Sequence, residues 1–312
     1  MIRLGLAALT LALMHSTACA YPDKPIQYTV PFPPGGESDI VARFQQDSYK
    51  KMSGKDMVIL NKAGAGGGVA WGQLNQSPAD GHHITSINLP HIVLQPLEGN
   101  VTYKTDDIVP VYFYTYTPDA IVVSSDSPVR TLADLLKLAR EKPGAVSLAG
   151  TGTNTANHLA AERLSTLAGV KFLYVPFKGT GDLNPALLGG HVNAAMGYST
   201  TGIQLKEKIR MLAIATPKRL PQFPDVPTFR ELGYDWVDGA YRGVAVPKAT
   251  PPGVRRQVSE LIGSINRDPD FRKRMVDGGF ELIDVPLDGV DAFMKERSTA
   301  YVPLAKSMGL VK

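Results

Sequence analysis

The sequence predicts an α/β protein built in two halves that face each other across a cleft. Three observations carry this. Short apolar strands alternate with runs of helical spacing. The pattern restarts near residue 119. In both halves, turns rich in glycine join a strand to a helix, and sheets of this sort take ligands beyond the carboxyl ends of their strands.

In order, "PIQYTVPF" (25–32) reads as a strand bounded by prolines. Ile40, Val41, Phe44 and Met52 then repeat at helical spacing, and Gly54 is a natural stop. "MVIL" (57–60) is a buried strand, which completes a βαβ unit with a parallel pair. "NKAGAGGGVAW" (61–71) makes a second glycine-rich turn before a short helix, and "HITSINL" (83–89) is strand-like. Tyr112, Phe113, Tyr114 and Tyr116 read as strand packing.

The second half opens with the strand "AIVVSS" (120–125). Thr131, with Asp134 three residues on, forms a capping-box pattern, and Pro143-Gly144 ends that helix. "AVSLAG" (145–150), "KFLYVPF" (171–177), "HVNAAMGYS" (191–199) and "RMLAIAT" (210–216) are strands, with helices between them. The proline-rich stretch 216–236 reads as a surface loop, and the last 60 or so residues have mostly helical spacing.

The chain has 312 residues, 44% hydrophobic and 20% charged, and a formal net charge of +4. That is the composition of a folded protein. No basic run with interleaved aromatics is present, which argues against nucleic acid as a partner. Residues 1–20 read as a secretory leader: Arg3, an apolar core from Leu4 to Met14, then Ala18-Cys19-Ala20 as the cleavage signal. Its apolar run is too short to span a membrane. Cleavage after Ala20 removes the only cysteine, so neither a disulfide framework nor a Cys nucleophile is expected. Acylation of Cys19 as a lipoprotein is the alternative, although Ser16 stands where such a signal prefers leucine.

"PFPPGGESDIVARF" (31–44) suggests capture of an anion. The first N–H groups of a helix lack partners within the helix, and its dipole is positive there. Gly35 and Gly36 carry no side chains to block approach, and Ser38 or Asp39 can cap the helix. "GTGTNTAN" (150–157) and "PFKGTGD" (176–182) repeat the theme, the latter adding Lys178. His158 is either a ligand contact or a local hydrogen-bonding group.

Nucleotide signatures fail on detail. No G-x-x-x-x-G-K-[ST] occurs, and Val69 and Thr155 stand where a G-x-G-x-x-G needs its third glycine. "GYSTTG" (197–202) has Thr201 where a nucleophile elbow needs glycine. His82 and His83 are adjacent and on a strand face opposite sides, so no shared metal is expected. No cofactor is expected either.

The stretches "PFPPGGESDIVAR", "AGAGGGVAWGQL…PADGHHI", "GTGTNTANHLAAERL", "VPFKGTGDLNPALLGGHVNAAMG" and "PDVPTFRELGY" occur in register. In this the chain resembles the periplasmic solute receptors of tripartite tricarboxylate transporters, the Bug (Bordetella uptake gene) receptors, over nearly the whole mature sequence. The resemblance implies a two-lobed type II periplasmic binding fold, a Venus flytrap with a hinge. Lobe 1 would comprise residues 21–122 plus 240–312, and lobe 2 residues 123–239. It also implies a ligand carboxylate held by main-chain groups and bridging waters at the first glycine-rich turn. Carried over, it sets Phe32, Gly35, Gly36, Ser38 and Asp39 on one side. Gly152, Thr153, Asn157, His158, Lys178 and Gly179 face them, with Tyr198 where the family usually has an acid.

Family members bind organic acids and work with membrane permease subunits. The chain is therefore expected to be a periplasmic, monomeric, non-catalytic receptor for a small organic acid. Two other readings stand beside this: a secreted hydrolase or transferase using His158 and Ser199, and a ligand-presenting partner of a membrane sensor. Glu37 departs from the family pattern, and its carboxylate would repel a second ligand charge or attract an ammonium group.

Overall fold

The computed structural model describes residues 21–311. The leader, with Cys19, lies outside the described residues. The first unit forms as its spacing predicts. Strand β1 (Ile26–Val30) leads to helix α1 (Glu37–Ser53) and to strand β2 (Met57–Asn61), which pairs parallel to β1; β2 is not the buried strand expected, because it lies at the sheet edge and leaves Val58 and Leu60 exposed. Gly54 ends α1 at φ 70°, a left-handed position that glycine takes without a Cβ clash. Helix α2 (Gly68–Gln73), strand β3 (His83–Leu89) and helix α3 (His91–Glu98) follow.

Strand β4 (Val109–Ser124) is one continuous element, with Tyr112, Phe113 and Tyr114 buried on it. It is longer than the expected strand at 120–125, because its two ends pair with different partners. The second half continues with α4 (Leu132–Glu141), β5 (Ser147–Thr151), α5 (Ala156–Ala168) and β6 (Leu173–Phe177). Next come α6 (Thr180–Leu188), β7 (Ala194–Tyr198), α7 (Ser199–Leu205) and β8 (Ile209–Ile214). The chain returns through β9 (Gly239–Val246), α8 (Pro252–Arg267), α9 (Pro269–Asp277), β10 (Glu281–Pro286) and α10 (Leu287–Ser307). Among the described residues no helix is long and apolar enough to cross a membrane.

The strands form two sheets that share β4. The first runs β2-β1-β3-β9-β4, with β10 added on β4. The second runs β4-β7-β5-β6, with β8 added on β4. Pairing changes along β4: Pro118 is the last partner of β9, opposite Gly239, and Asp119 is the first partner of β7, opposite Tyr198. The crossing therefore lies ahead of residue 122, where the sequence reading divided the lobes. The returning segment crosses alongside, with Asp119 N–H donating to Asp238 O (3.1 Å) and Ala215 N–H to Asp119 O (2.8 Å).

Each sheet has its own core. Tyr28, Tyr49, Met57, Tyr112 and Tyr114 pack together on the first, and Leu135, Leu148, Leu164, Phe229 and Trp236 on the second. The result is the two-lobed α/β fold that the sequence predicts. The capping box at α4 is also present: Asp134 N–H donates to Thr131 Oγ1 at 3.1 Å, and Thr131 N–H to Asp134 Oδ2 at 2.9 Å. Thr131→Ala is expected to lower the stability of the second lobe by about 1 kcal/mol, read by urea denaturation.

Candidate functional site

A small cavity lies between the lobes. Phe32, Glu37, Ser38, Asn88, His91 and Arg242 line it from the first lobe, and Thr151, Thr180 and Tyr198 from the second. Its position follows from chain direction. Phe32 follows β1, Asn88 sits near the end of β3, and Thr151 and Tyr198 end β5 and β7. These are the carboxyl ends of parallel strands, where loops and helix starts converge. The cavity measures about 20 Å³, room for roughly one water. The lobes approach each other closely around it.

The floor is a buried ion pair. Arg242 Nη2 donates to Glu37 Oε2 and Nη1 to Thr117 Oγ1. Both side chains are 3% exposed. A charge so deep needs a partner, and register supplies one: Arg242 pairs with Asn88 across β9 and β3, beside the first turn of α1. Burial pushes the Glu37 carboxyl up to about 7, against the opposing pull of Arg242. Burial, helped by Arg242, pushes His91 down to about 3, so its imidazole is neutral at neutral pH. The guanidinium lies 5.3 Å from the Tyr198 ring centroid, a cation–π contact across the cleft.

Of the residues that the resemblance singled out, Phe32, Ser38 and Tyr198 line this cavity. Asn157 acts one step back: its Oδ1 accepts from Thr151 N–H (3.2 Å) and Thr151 Oγ1 (2.5 Å), which fixes the threonine that lines the cavity. His158 is engaged locally. Its Nδ1 accepts from Asn154 N–H at 3.1 Å, and its ring lies 4.2 Å from that of Tyr174. Asp39 holds Arg43, Asn61 and the Gly35 N–H. Thr153 and Lys178 are exposed and outside the cavity.

The bare amides of the first turn require correction. Gly35 N–H donates to Asp39 Oδ2 (2.9 Å), Gly36 N–H to Pro33 O (3.3 Å), and Glu37 N–H to Thr180 Oγ1 (3.4 Å). Neither Ser38 nor Asp39 is the N-cap, because the helix starts earlier, at Glu37, with Gly36 before it. The glycines instead let the lobes touch. A Cβ on Gly179 would stand 2.7 Å from Pro33 Cδ, and one on Gly152 2.9 Å from Gly66 Cα. Gly36 faces Thr180 in the same way. The polar contact between the lobes here is one long hydrogen bond, from Glu37 N–H to Thr180 Oγ1, which an incoming acceptor can replace.

Sequence reading missed Arg242, Asn88, His91, Thr151 and Thr180, and noted Glu37 only as a departure. One signal was there: Arg242 is the single charge in the apolar run "GAYRGVAV". The catalytic alternative finds no pairing. Ser199 Oγ donates to Gly279 O at 3.0 Å, and His158 is turned to Asn154 and Tyr174.

Comparison with known proteins agrees with this architecture. The model of the tripartite tricarboxylate transporter family receptor, TctC, matches residues 41–310. A Pseudomonas sp. (strain P51) protein, described as the UPF0065 protein in the tcbD-tcbE intergenic region, is 34% identical over 277 residues, covering 85% of this chain and 82% of its own. BugT of Bordetella pertussis is 32% identical over 258 residues, covering 80% of this chain and 79% of its own. The structure of the periplasmic binding protein BugD superposes with a TM-score of 0.87 at 29% identity, covering 94% of this chain and 100% of BugD. With its two lobes and the match over most of its length, the chain belongs to the TctC family of tripartite tricarboxylate transporter receptors, periplasmic solute-binding proteins.

Proposed function

We propose that the protein captures a small organic acid in the periplasm and hands it to membrane permease subunits of a tripartite transporter. One observation carries this reading: an arginine lies at the floor of an inter-lobe cleft, opposite the hydroxyls of Thr151 and Thr180. A guanidinium and the hydroxyl donor of Thr180 in a water-poor site suit a carboxylate, while the Thr151 hydroxyl proton is held by Asn157. The family's name points the same way. Residues 1–20 serve as the cleavable leader, and the mature chain works as a monomer without turnover.

Closure is a hinge motion at the paired crossings, Pro118–Asp119 and Asp238–Gly239. Two strands crossing side by side absorb a rotation that leaves each sheet intact. The lobes are then residues 21–118 plus 239–312 and residues 119–238.

A thermal-shift screen of organic acids tests this, since a ligand that binds only the folded state raises the midpoint. At a hundredfold excess over Kd the gain is about 2.7 kcal/mol. A rise with at least one acid and none with neutral sugars is expected. Silence across the acids with a response to a sugar would overturn the reading.

A further inference from the structure

We propose that Glu37 selects the ligand, by cancelling the cleft's arginine and presenting a free carboxylate oxygen, so that the receptor takes a neutral α-amino acid in preference to a di- or tricarboxylate. The inference rests on the organic-acid reading above and narrows it.

The charge balance comes first. Among the nine residues lining the cavity, the ionic side chains are Glu37 and Arg242. They are paired with each other and almost wholly buried. With His91 held neutral, the lining carries no net charge once Glu37 is ionised. Asp119, close enough to feel both Glu37 and Arg242, adds no positive charge. A ligand with two or three negative charges would enter a closed site that offers nothing to balance them, and uncompensated charge in such a place is strongly disfavoured. A zwitterion matches a net-neutral site.

The unpartnered atoms come second. Glu37 Oε1 and Asn88 Oδ1 are buried acceptors with no hydrogen-bond donor among the described residues, and Arg242 Nε is a buried donor with no acceptor. All three belong to residues lining the cavity. Two acceptors call for a ligand group that donates more than one hydrogen bond, which an ammonium does and a carboxylate does not. The orphan guanidinium N–H and the hydroxyl of Thr180, whose oxygen accepts from Glu37 N–H and whose proton is free, remain for the carboxylate. An amino acid carries both groups on one carbon, and one oxygen of the Glu37 carboxylate stays free for it while the other holds Arg242.

The test is calorimetry on the mature protein at pH 8, where the Glu37 carboxyl is mostly ionised. The panel holds neutral L-amino acids, each with its desamino monoacid, together with succinate, malate and citrate. A neutral amino acid is expected to bind at least about tenfold more tightly than its desamino partner and than any di- or tricarboxylate, the size of one charged hydrogen bond. In E37Q the amino acid should lose about tenfold or more, and succinate should gain, because Arg242 is then uncancelled. The double variant E37Q/R242Q controls for folding and net charge: it should lose the amino acid without gaining succinate, with its circular dichroism melt recorded alongside. If a di- or tricarboxylate binds the natural protein best, or E37Q leaves the ratio unchanged, this selection is wrong and the organic-acid receptor stands. If nothing in the panel binds, both readings fall.

Discussion

Arg242→Met is expected to destabilise the protein by about 3–5 kcal/mol at pH 8 and by much less at pH 5.5. Methionine fills similar space but leaves the Glu37 carboxylate buried without its partner, and removes the contacts to Thr117 and Tyr198. The pH dependence has a definite sign. The folded carboxyl is raised from 4.5 to about 7. Between those values the folded state binds more protons than the unfolded one, so stability falls as pH rises through this window. Without Arg242 the folded value climbs further, and the cost at pH 8 is greatest. At pH 5.5 Glu37 is largely protonated with or without Arg242, and the difference between the two proteins narrows. Urea denaturation at the two pH values measures this. A cost below about 1 kcal/mol, or one independent of pH, would mean that the pair is not the isolated buried charge described above.

Gly181→Ala is expected to weaken ligand binding by about tenfold or more while leaving the melting point unchanged or slightly higher. Gly181 lies in the first turn of α6, a position where alanine is intrinsically favoured over glycine by about 1 kcal/mol. Within its own lobe nothing opposes the change. Across the cleft, the new Cβ would stand 2.8 Å from Pro34 O and 3.7 Å from Gly36 N. These are backbone atoms, which cannot rotate away, so the lobes stop short of full closure. If the closed form falls to a tenth of its population, apparent affinity falls in proportion. Calorimetry with whichever acid the thermal screen identifies gives the affinity, and calorimetric melting gives the stability. Undiminished affinity would remove this contact from the closing surface.

The fold was legible where local chemistry sets it. The βαβ unit, the stop at Gly54 and the capping box at Thr131 each depend on residues a few positions apart, and each is present as its spacing predicts. The full length of β4 and the strand β10 were not legible. β10 pairs with β4 across more than 160 residues (Glu281 opposite Tyr116), and its sequence "ELIDVP" has no clean alternation of its own.

The site was legible in part. A bare glycine turn signals that something comes close, and sequence cannot say what. Here the second lobe comes close: Gly152 meets Gly66, and Gly179 meets Pro33. Tyr198 and Phe32 were recognisable, but Thr151 and Thr180 resembled ordinary turn residues.

By itself the sequence determined the two α/β halves, most of the strands and helices up to the return of the chain, the family, and the oddity of an acid at position 37. Periodicity, caps and glycine positions are short-range properties written into consecutive residues. Only the tertiary structure decided that Glu37 meets Arg242, 205 residues away, and that the pair is almost dry. A buried charge is defined by what surrounds it, and those surroundings are assembled from strands that meet only when the chain has crossed twice between its lobes.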